Sequence, residues 1–357
     1  MTGAGWGKAG GAVRRLAAGA TFASRSCKMA DIRWGILGTG WIAGLFAEDL
    51  SKTSGAVCAA VASRDATRAE AFATHHSIPR SHGDYAALAA DPDVDVVYIA
   101  SPHSHHHQHT RMMLEAGKNV LVEKPFTMNA EQAADLLALA REKGLFIMDA
   151  MWTLCNPLYG ELQSRIAAGS IGTPRAFSAH IGPMGTGANS RVADPDLGGS
   201  FTLECMVYPL NILAGLAPNL TKTATVGASG LLTARGVDSA SSITLNTSDG
   251  YASMAGGFVP ETEGMAGSGF HLIGDKGWLA VTDNLFNPGK ALFSTAAGVE
   301  ELIDPGHEAR YGWEIEEVGR CLREGRWESS RVPHDLTLGV IELLDKAVIQ
   351  IHGKVLS

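Results

Sequence analysis

The sequence predicts an α/β protein with two domains, and three features of the chain lead to this prediction. Its 357 residues are more than one domain usually contains. From 31 to about 150, short apolar runs alternate with helical patterns, as a parallel sheet with crossover helices requires. From 151 to about 330, consecutive β-rich runs separated by short turns predict an α+β domain with a mostly antiparallel sheet.

The elements of the first domain follow from apolar runs and helix caps. After the opening strand, we expect buried strands at 56–62, 94–100, 119–122 and 145–148, with helices near 66–76 and 84–90. Asn129 resembles a helix N-cap with Gln132 three residues later, and Gly144 ends that helix.

The second domain begins with a helix near 157–168 and another around 204–215. The glycine-rich stretch 182–200 between them is too irregular for one element, and we expect it to be a substrate loop. Strands are predicted at 223–232, 241–247, 251–259 and 269–282, with Asp249-Gly250 as a hairpin turn. Helices are expected at 311–325 and 335–351, and 331–357 forms a separate C-terminal helical segment.

Residues 1–30 differ in composition from the rest of the chain. They contain five basic residues and no acidic ones, together with many Gly, Ala and Ser. We expect this extension to be disordered. It is either a transit peptide or an upstream extension preceding a start at Met29, and it lacks the long apolar centre of a secretion signal.

The turn after the first strand carries the pattern G-x-G-x-x-A. Gly38 permits a tight turn, Gly40 lets the backbone approach a pyrophosphate, and Ala43 allows the helix to pack closely on its strand. The helix N-terminus then offers free N–H groups to the phosphates. Together with its flanking strand and helix, the motif predicts a dinucleotide-binding Rossmann domain over 31–150. The cofactor-binding residues expected in this turn are Gly38, Thr39, Gly40, Trp41 and Ile42.

The end of the second strand bears on the choice of cofactor. Ser63 and Arg64 suit the 2′-phosphate of NADP, because a hydroxyl and a guanidinium both bind phosphate well. The alternative is NAD, with Asp65 accepting hydrogen bonds from the ribose hydroxyls. We favour NADP.

Two further stretches could carry chemistry. Lys124, in Glu123-Lys124-Pro125-Phe126, follows a buried strand at the sheet edge where ligands of such sheets bind. Glu204 and Tyr208 are four residues apart, so on an α-helix they share one face and could reach a substrate hydroxyl. Spacing alone also fits a buried tyrosine with one satisfied hydrogen bond.

Several classes of function are disfavoured. A net charge of −8 argues against a nucleic-acid partner, and no apolar run is long enough to cross a bilayer. Five cysteines without paired spacing favour reduced thiols in a cytoplasmic protein. Five histidines within 103–109 suggest a metal site, but no matching acidic or Cys cluster accompanies them. We therefore expect this segment to contact the cofactor and to continue into a helix, and we predict no metal.

These motifs together resemble the Gfo/Idh/MocA oxidoreductases over nearly all of 31–357. The resemblance rests on the opening turn, Ser63-Arg64, Ser101-Pro102-His103, Glu123-Lys124-Pro125, and Gly198-Gly199 followed by Glu204 and Tyr208-Pro209. Met151-Trp152-Thr153 and Pro157 are similar to a branch containing dimeric dihydrodiol dehydrogenases and NADP-dependent D-xylose 1-dehydrogenases. Leu154-Cys155 departs from that branch, so its substrate is not carried over.

The resemblance implies roles for individual residues. Lys124 would contact the nicotinamide ribose and the substrate hydroxyl, Tyr208 would be the general acid/base, and Trp152 would form a wall of the substrate pocket. Glu204 stands where the family usually has Asp and would contact the substrate. The cofactor-side residues would be Ser101, Pro102, His103, His106, Glu123 and Lys124.

The implied activity is reversible hydride transfer between NADP and a CH–OH carbon of a sugar, polyol or cyclic diol. The implied assembly is a homodimer formed through an open antiparallel sheet, with the last helix packing back on the first domain. We expect the ammonium of Lys124 to favour the phenolate of Tyr208. Glu204 should then point at substrate hydroxyls or at Lys124. Two other functions remain open, namely an NAD-dependent glycosidase of the same family and a non-catalytic NADPH-sensing protein.

Overall fold

The computed structural model describes residues 12–16, 30–185, 191–259, 264 and 266–356. Strand β1 (Ala12–Arg15) pairs in parallel with 300–303 at the edge of the second sheet. The expected disorder of residues 1–30 is therefore not seen at 12–16, because an edge strand offers unpaired backbone groups that a further strand can satisfy. The rest of that extension, including Met29, lies outside the described residues.

The first domain contains a parallel sheet of six strands in the order β4-β3-β2-β5-β6-β7. Its strands are β2 (Ile32–Leu37), β3 (Ala56–Ala62), β4 (Ser81–His82), β5 (Val96–Ile99), β6 (Asn119–Val122) and β7 (Ile147–Asp149). Its helices are α1 (Trp41–Lys52), α2 (Ala66–His75), α3 (Tyr85–Ala90), α4 (His106–Glu115) and α5 (Ala130–Lys143). The strand order reverses between β2 and β5, and this switch point opens a crevice at the carboxyl ends of the strands. The predicted Rossmann architecture is confirmed.

The predicted boundaries of α5 agree with the structure. The side chain of Asn129 accepts a hydrogen bond from the Gln132 N–H at 3.0 Å, and Gly144 follows the helix in the left-handed conformation. The apolar positions of its predicted face, which are Ala133, Leu136, Leu137 and Ala140, are all buried. Local capping chemistry is therefore sufficient to place this helix.

The second domain is built on a sheet of nine strands in the order β1-β15-β14-β13-β12-β8-β11-β10-β9. The strands after β1 are β8 (Pro174–Gly185), β9 (Thr225–Leu232), β10 (Asp238–Asn246), β11 (Tyr251–Val259), β12 (Ser268–Gly274), β13 (Trp278–Val281), β14 (Lys290–Thr295) and β15 (Gly298–Ile303). All neighbouring pairs are antiparallel except β1–β15 and β8–β11. Asp249-Gly250 joins β10 to β11 as predicted.

Several regions of the second domain differ from the expectation. Residues 182–185 extend β8, 186–190 lie outside the described residues, and 191–193 and 195–197 form short 3₁₀ turns. The predicted helix around 204–215 is divided into a π-helical turn (Thr202–Met206) and helix α8 (Val207–Leu216). Strands β8, β14 and β15 were not predicted, although buried residues alternate with less buried ones in β8 and β14 as in half-buried strands. The single run predicted at 269–282 is divided into the antiparallel strands β12 and β13.

Four further helices complete the fold. They are α6 (Trp152–Cys155), α7 (Pro157–Ala167), α9 (Gly312–Arg323) and α10 (His334–His352). Before α9, the Tyr311 N–H donates to Asp49 Oδ2 of α1 at 2.9 Å. On α10, Asp345 Oδ2 accepts from the Ala130 N–H of α5 at 2.8 Å. Both C-terminal helices therefore contact the first domain, and no described helix is long and apolar enough to cross a membrane.

Candidate active site

One cleft of about 1480 Å³ collects the residues to which the sequence assigned chemistry. It runs from the switch point of the parallel sheet to the π-helical turn and the end of β8. The predicted site residues that line it are Gly38, Thr39, Gly40, Trp41, Ile42, Ser63, Arg64, Ser101, Pro102, His103, His106, Glu123, Lys124, Trp152, Glu204 and Tyr208.

The glycine turn has the geometry that a pyrophosphate needs. Gly38 has a φ of +112°, and a Cβ there would lie 2.8 Å from the carbonyl oxygen of Ala100. Gly40 is the N-cap of α1, where no side chain caps the helix and no acid occupies the first turn. The N–H groups at this helix start therefore remain available to an anion in the cleft.

Exchanging each glycine for alanine should separate folding from cofactor binding. We expect Gly38→Ala to lower the free energy of unfolding by about 1–3 kcal/mol, because its φ is unfavourable for any residue with a Cβ. Gly40 has a φ of −79°, and a Cβ there would meet no atom within 4 Å. Gly40→Ala should therefore retain its Tm but bind NADP more weakly in a fluorescence titration. An equal loss of Tm in both variants would contradict this interpretation.

The part of the cleft beside Arg64 is more basic than predicted. Arg64 contacts Tyr85, and Arg68 in the first turn of α2 also lines the cleft. Asp65, the residue that an NAD site would use, accepts a hydrogen bond from the Arg68 N–H at 3.2 Å and so caps α2. Arg68 was not predicted, although a basic residue one turn after Arg64 was a usable signal.

The histidine segment connects loops around the cleft. Both ring nitrogens of His106 face carbonyl oxygens, that of Pro125 at 2.8 Å and that of Ser101 at 2.9 Å. His106 thereby links the loops after β5 and β6, and burial lowers its pKa to about 3. In the part of the chain that the structure describes, no group of three or more His, Cys, Asp or Glu side chains is arranged to hold a metal ion.

His103 joins the first domain to the stretch predicted as a substrate loop. Its Nδ1 lies 3.2 Å from the carbonyl oxygen of Gly198, and its Nε2 lies 2.8 Å from Nη1 of Arg191. Burial and, next, the charge of Arg191 lower the pKa of His103 to about 4. The same Nε2 lies 3.1 Å from Oε2 of Glu204, so the ring of His103 lies between Arg191 and that carboxylate.

The three predicted catalytic side chains meet at the far end of the cleft. Nζ of Lys124 forms an ion pair with Oε1 of Glu204 and lies 5.4 Å from the centre of the Tyr208 ring. The Tyr208 hydroxyl accepts a hydrogen bond from Nε1 of Trp152 at 3.2 Å. Of the two orientations expected for Glu204, the structure shows the one directed at Lys124.

Arg191 is a further member of this cluster that sequence reasoning missed. Its Nη2 lies 3.1 Å from Oε2 of Glu204, the oxygen that does not face Lys124. Burial opposes ionisation of Glu204, but Arg191 and Lys124 outweigh it and hold the pKa of this carboxyl well below its usual range. Lys124 is likewise buried, yet Glu204 and Glu123 raise its pKa above the ordinary value. The cluster therefore contains a carboxylate between two cations.

The environment of Tyr208 differs from the expectation that Lys124 favours its phenolate. Burial and, next, the neighbouring Glu123 raise the pKa of Tyr208 well above its ordinary value near 10. The ammonium of Lys124 lies over the ring face of Tyr208 and forms an ion pair with Glu204. It therefore stabilises the phenolate of Tyr208 very little. These surroundings therefore favour the protonated phenol over the phenolate.

Further aromatic side chains line the cleft beside Tyr208 and Trp152. Phe286 packs edge-on against Tyr208 with a centroid distance of 4.6 Å, and Tyr311 lies 5.1 Å from Trp152. Sequence reasoning identified Trp152 but missed the other two, which come from the loop after β13 and from the start of α9. Neither position carries a local pattern, because each reaches the site only through the packing of distant segments.

A doubly wound sheet with a glycine cradle, a buried lysine and a tyrosine in one cleft defines a dinucleotide-dependent oxidoreductase. Family comparison gives the same result: residues 32–150 match the oxidoreductase family with an NAD-binding Rossmann fold, and 159–280 match the GFO/IDH/MocA C-terminal domain. The chain belongs to the Gfo/Idh/MocA family, as its motifs predicted.

Characterised relatives cover almost the whole chain. D-xylose 1-dehydrogenase (NADP(+)) from Hypocrea jecorina is 36% identical over 89% of this chain and 92% of its own length. Trans-1,2-dihydrobenzene-1,2-diol dehydrogenase from Xenopus tropicalis is 30% identical over 89% and 98%. Among solved structures, the 3-ketoreductase KijD10 from Actinomadura kijaniata has a TM-score of 0.77 at 24% identity, covering 90% of this chain and 98% of its own. The last similarity concerns the fold alone.

Proposed function

We propose that this protein catalyses reversible hydride transfer between NADP and a CH–OH carbon of a sugar, polyol or cyclic diol. The observation that carries the proposal is the convergence of Lys124, Glu204 and Tyr208 in the cleft that begins at the glycine cradle. The two relatives named above, whose names specify a sugar and a dihydrodiol, support the same class of substrate.

Each side chain of the cluster has its own role in the proposed reaction. When bound, NADP supplies the hydride acceptor in oxidation and its reduced form the donor in reduction. The protonated hydroxyl of Tyr208 gives its proton to the carbonyl oxygen during reduction and takes it back during oxidation. The ammonium of Lys124, held by Glu204, stabilises the negative charge that develops on that oxygen.

The walls of the cleft suit a ring with hydroxyl groups on it. Trp152, Phe286 and Tyr311 present aromatic surface, against which an apolar ring face can pack. Lys124, Glu204 and Arg191 present donors and acceptors for hydroxyl groups. Aldoses, inositols and dihydrodiols share this combination of an apolar face and vicinal hydroxyls.

The proposed function is tested with a panel of aldoses, inositols and dihydrodiols. Each is incubated with NADP or NAD while the absorbance of the reduced cofactor is followed. Turnover of at least one class supports the proposal. Release of sugar from a glycoside without net NADPH formation would indicate the glycosidase, and NADPH binding without any turnover would indicate the sensing protein.

The cofactor preference depends on the basic end of the cleft. We expect Arg64→Ala to weaken NADP binding by about 10- to 150-fold and NAD binding far less, since a hydrogen bond to a charged group contributes about 1.5–3 kcal/mol. Titration of both cofactors measures this difference. Arg111→Ala is the matched control, because Arg111 pairs with Asp135 outside the cleft. An equal effect of Arg64→Ala on both cofactors, or equal affinities of the unmodified protein, would contradict the assignment.

We also propose that the protein is a cytoplasmic homodimer. Tyr251, Ala176, Ile273 and Trp278 stand directly opposite one another on four adjacent strands, β11, β8, β12 and β13. Tyr251 and Ile273 are 54% and 49% exposed, so this row is an apolar surface that a second copy could cover. Sedimentation of the unmodified protein and of Ile273→Glu tests the assembly.

The four described cysteines are all free, which supports the reducing compartment of a cytoplasmic protein.

A further inference from the structure

The helical turn that carries Glu204 is not an ordinary α-helical turn. Residues Thr202–Met206 form a π-helical turn that leads directly into α8, where Tyr208 lies. A π turn bonds i to i+5 and so contains one more residue than an α turn. Because each residue of an α-helix turns the chain by about 100°, a return to α geometry would rotate Glu204 away from its present direction relative to Tyr208.

A buried hydrogen-bond network holds the first residue of this turn. Oδ2 of Asp238 accepts from the N–H of Thr202 at 2.7 Å and from its hydroxyl at 2.6 Å. The hydroxyl also lies 3.0 Å from Oγ of Ser241. Asp238 is on β10 and is fully buried, so its carboxyl group depends on these partners.

The other carboxyl oxygen of Asp238 is bound from the far end of the chain. Nε2 of His352, the last residue of α10, lies 2.9 Å from Oδ1 of Asp238, and both side chains are almost completely buried. Neither Asp238 nor His352 lines the cleft. The network therefore links the C-terminal helix and the nine-stranded sheet to the turn that directs Glu204 at Lys124.

We propose that Asp238 and His352 are positioning residues that hold the π-helical turn in register, so that Glu204 engages Lys124. This inference rests on the proposed hydride-transfer function for its kinetic consequence. Its structural part, the dependence of the Lys124–Glu204 pair on Asp238, is independent of any substrate. π-helical turns are uncommon and recur at functional sites, which agrees with a role in the reaction.

The test compares Thr202→Val, Asp238→Asn and His352→Leu with the unmodified protein. Each is expected to lower kcat about 10-fold while the Kd for NADPH changes less than twofold, because the cofactor cradle is on the other domain. Thr202→Ser keeps the hydroxyl and should restore kcat. Thr244→Val is the matched control, because Thr244 is on β10, the strand that carries Asp238, and its side chain is exposed.

A second readout separates positioning from a general loss of stability. The charges acting on Lys124 are Glu204 and Glu123, which raise its pKa, and Arg191, which lowers it. If Glu204 turns away, the pKa of Lys124 falls, and the NMR titration of ¹³C-methylated Lys124 shifts to lower pH. This titration needs no turnover, so it also tests the inference if no substrate is found.

The outcomes are distinct. A lowered kcat together with a lowered pKa of Lys124 in Asp238→Asn and Thr202→Val supports the positioning role. A lowered Tm with an unchanged Lys124 titration would show that the network serves stability alone and would overturn the inference. Absence of turnover in the unmodified protein, with the expected Lys124 shift in the variants, would instead overturn the proposed function.

Discussion

Replacing Tyr208 with phenylalanine is expected to lower kcat at least ~100-fold, the usual scale of general acid–base catalysis. The substitution removes the hydroxyl that gives and takes the proton and leaves the packing of the ring against Phe286 in place. The affinity for NADP should survive, because the glycine cradle is formed at the start of α1 in the first domain, whereas Tyr208 is on α8 of the second. Steady-state kinetics and a cofactor titration measure the two quantities separately.

The pH dependence gives an independent check on Tyr208. Its raised pKa keeps the phenol protonated at neutral pH, so carbonyl reduction should be nearly independent of pH below pH ~9. Alcohol oxidation needs the phenolate and should rise by about tenfold per pH unit over the same range. Tyr251→Phe, which removes a hydroxyl outside the cleft and keeps the ring of the proposed dimer surface, serves as the control. Near-normal turnover of Tyr208→Phe would remove Tyr208 from the mechanism and make Lys124 the candidate proton carrier.

Replacing Lys124 with methionine should lower kcat by a similar factor. Without the ammonium, nothing equivalent stabilises the charge on the substrate oxygen, and Glu204 loses one partner. The protein should still fold, because Arg191 remains 3.1 Å from Oε2 of Glu204 and balances the buried carboxylate. Kinetics with NADPH and the Tm of the variant measure both expectations.

The double variant tests whether Lys124 and Tyr208 act as one unit. Groups that act together give non-additive losses, so the double variant should be little slower than either single one. Lys143→Met, an exposed lysine at the end of α5, is the matched control. Losses that multiply in the double variant would show that the two side chains act independently.

Local sequence patterns predicted those parts of the molecule that depend on neighbouring residues. The glycine turn, the caps of α5 and the Asp249-Gly250 hairpin each need only a few adjacent residues, and all three agree with the structure. The position of Lys124 at the edge of the parallel sheet follows from the same logic, since the carboxyl ends of parallel strands share one edge.

The resemblance to a known family extended this prediction to Trp152, Glu204 and Tyr208, which all line the cleft. It did not indicate the ionisation of Tyr208, because that depends on burial and on Glu123. Nor did four-residue spacing indicate a π turn, because Thr202 is held by a carboxyl group 36 residues away. Hydrogen bonds between distant segments can outweigh the local preference for an α-helix.

The sequence by itself therefore determined the fold class and the glycine turn, because both are encoded in short apolar periods, caps and motifs, and the family resemblance added the candidate catalytic side chains. Only the tertiary structure decided the ionisation states and the orientations of Lys124, Glu204 and Tyr208. Glu204 and Lys124 are 80 residues apart in the chain, and the Arg191 that completes their cluster comes from a loop without a recognisable pattern. Their pKa values and orientations follow from burial and from contacts between the two domains, which no local stretch of sequence contains.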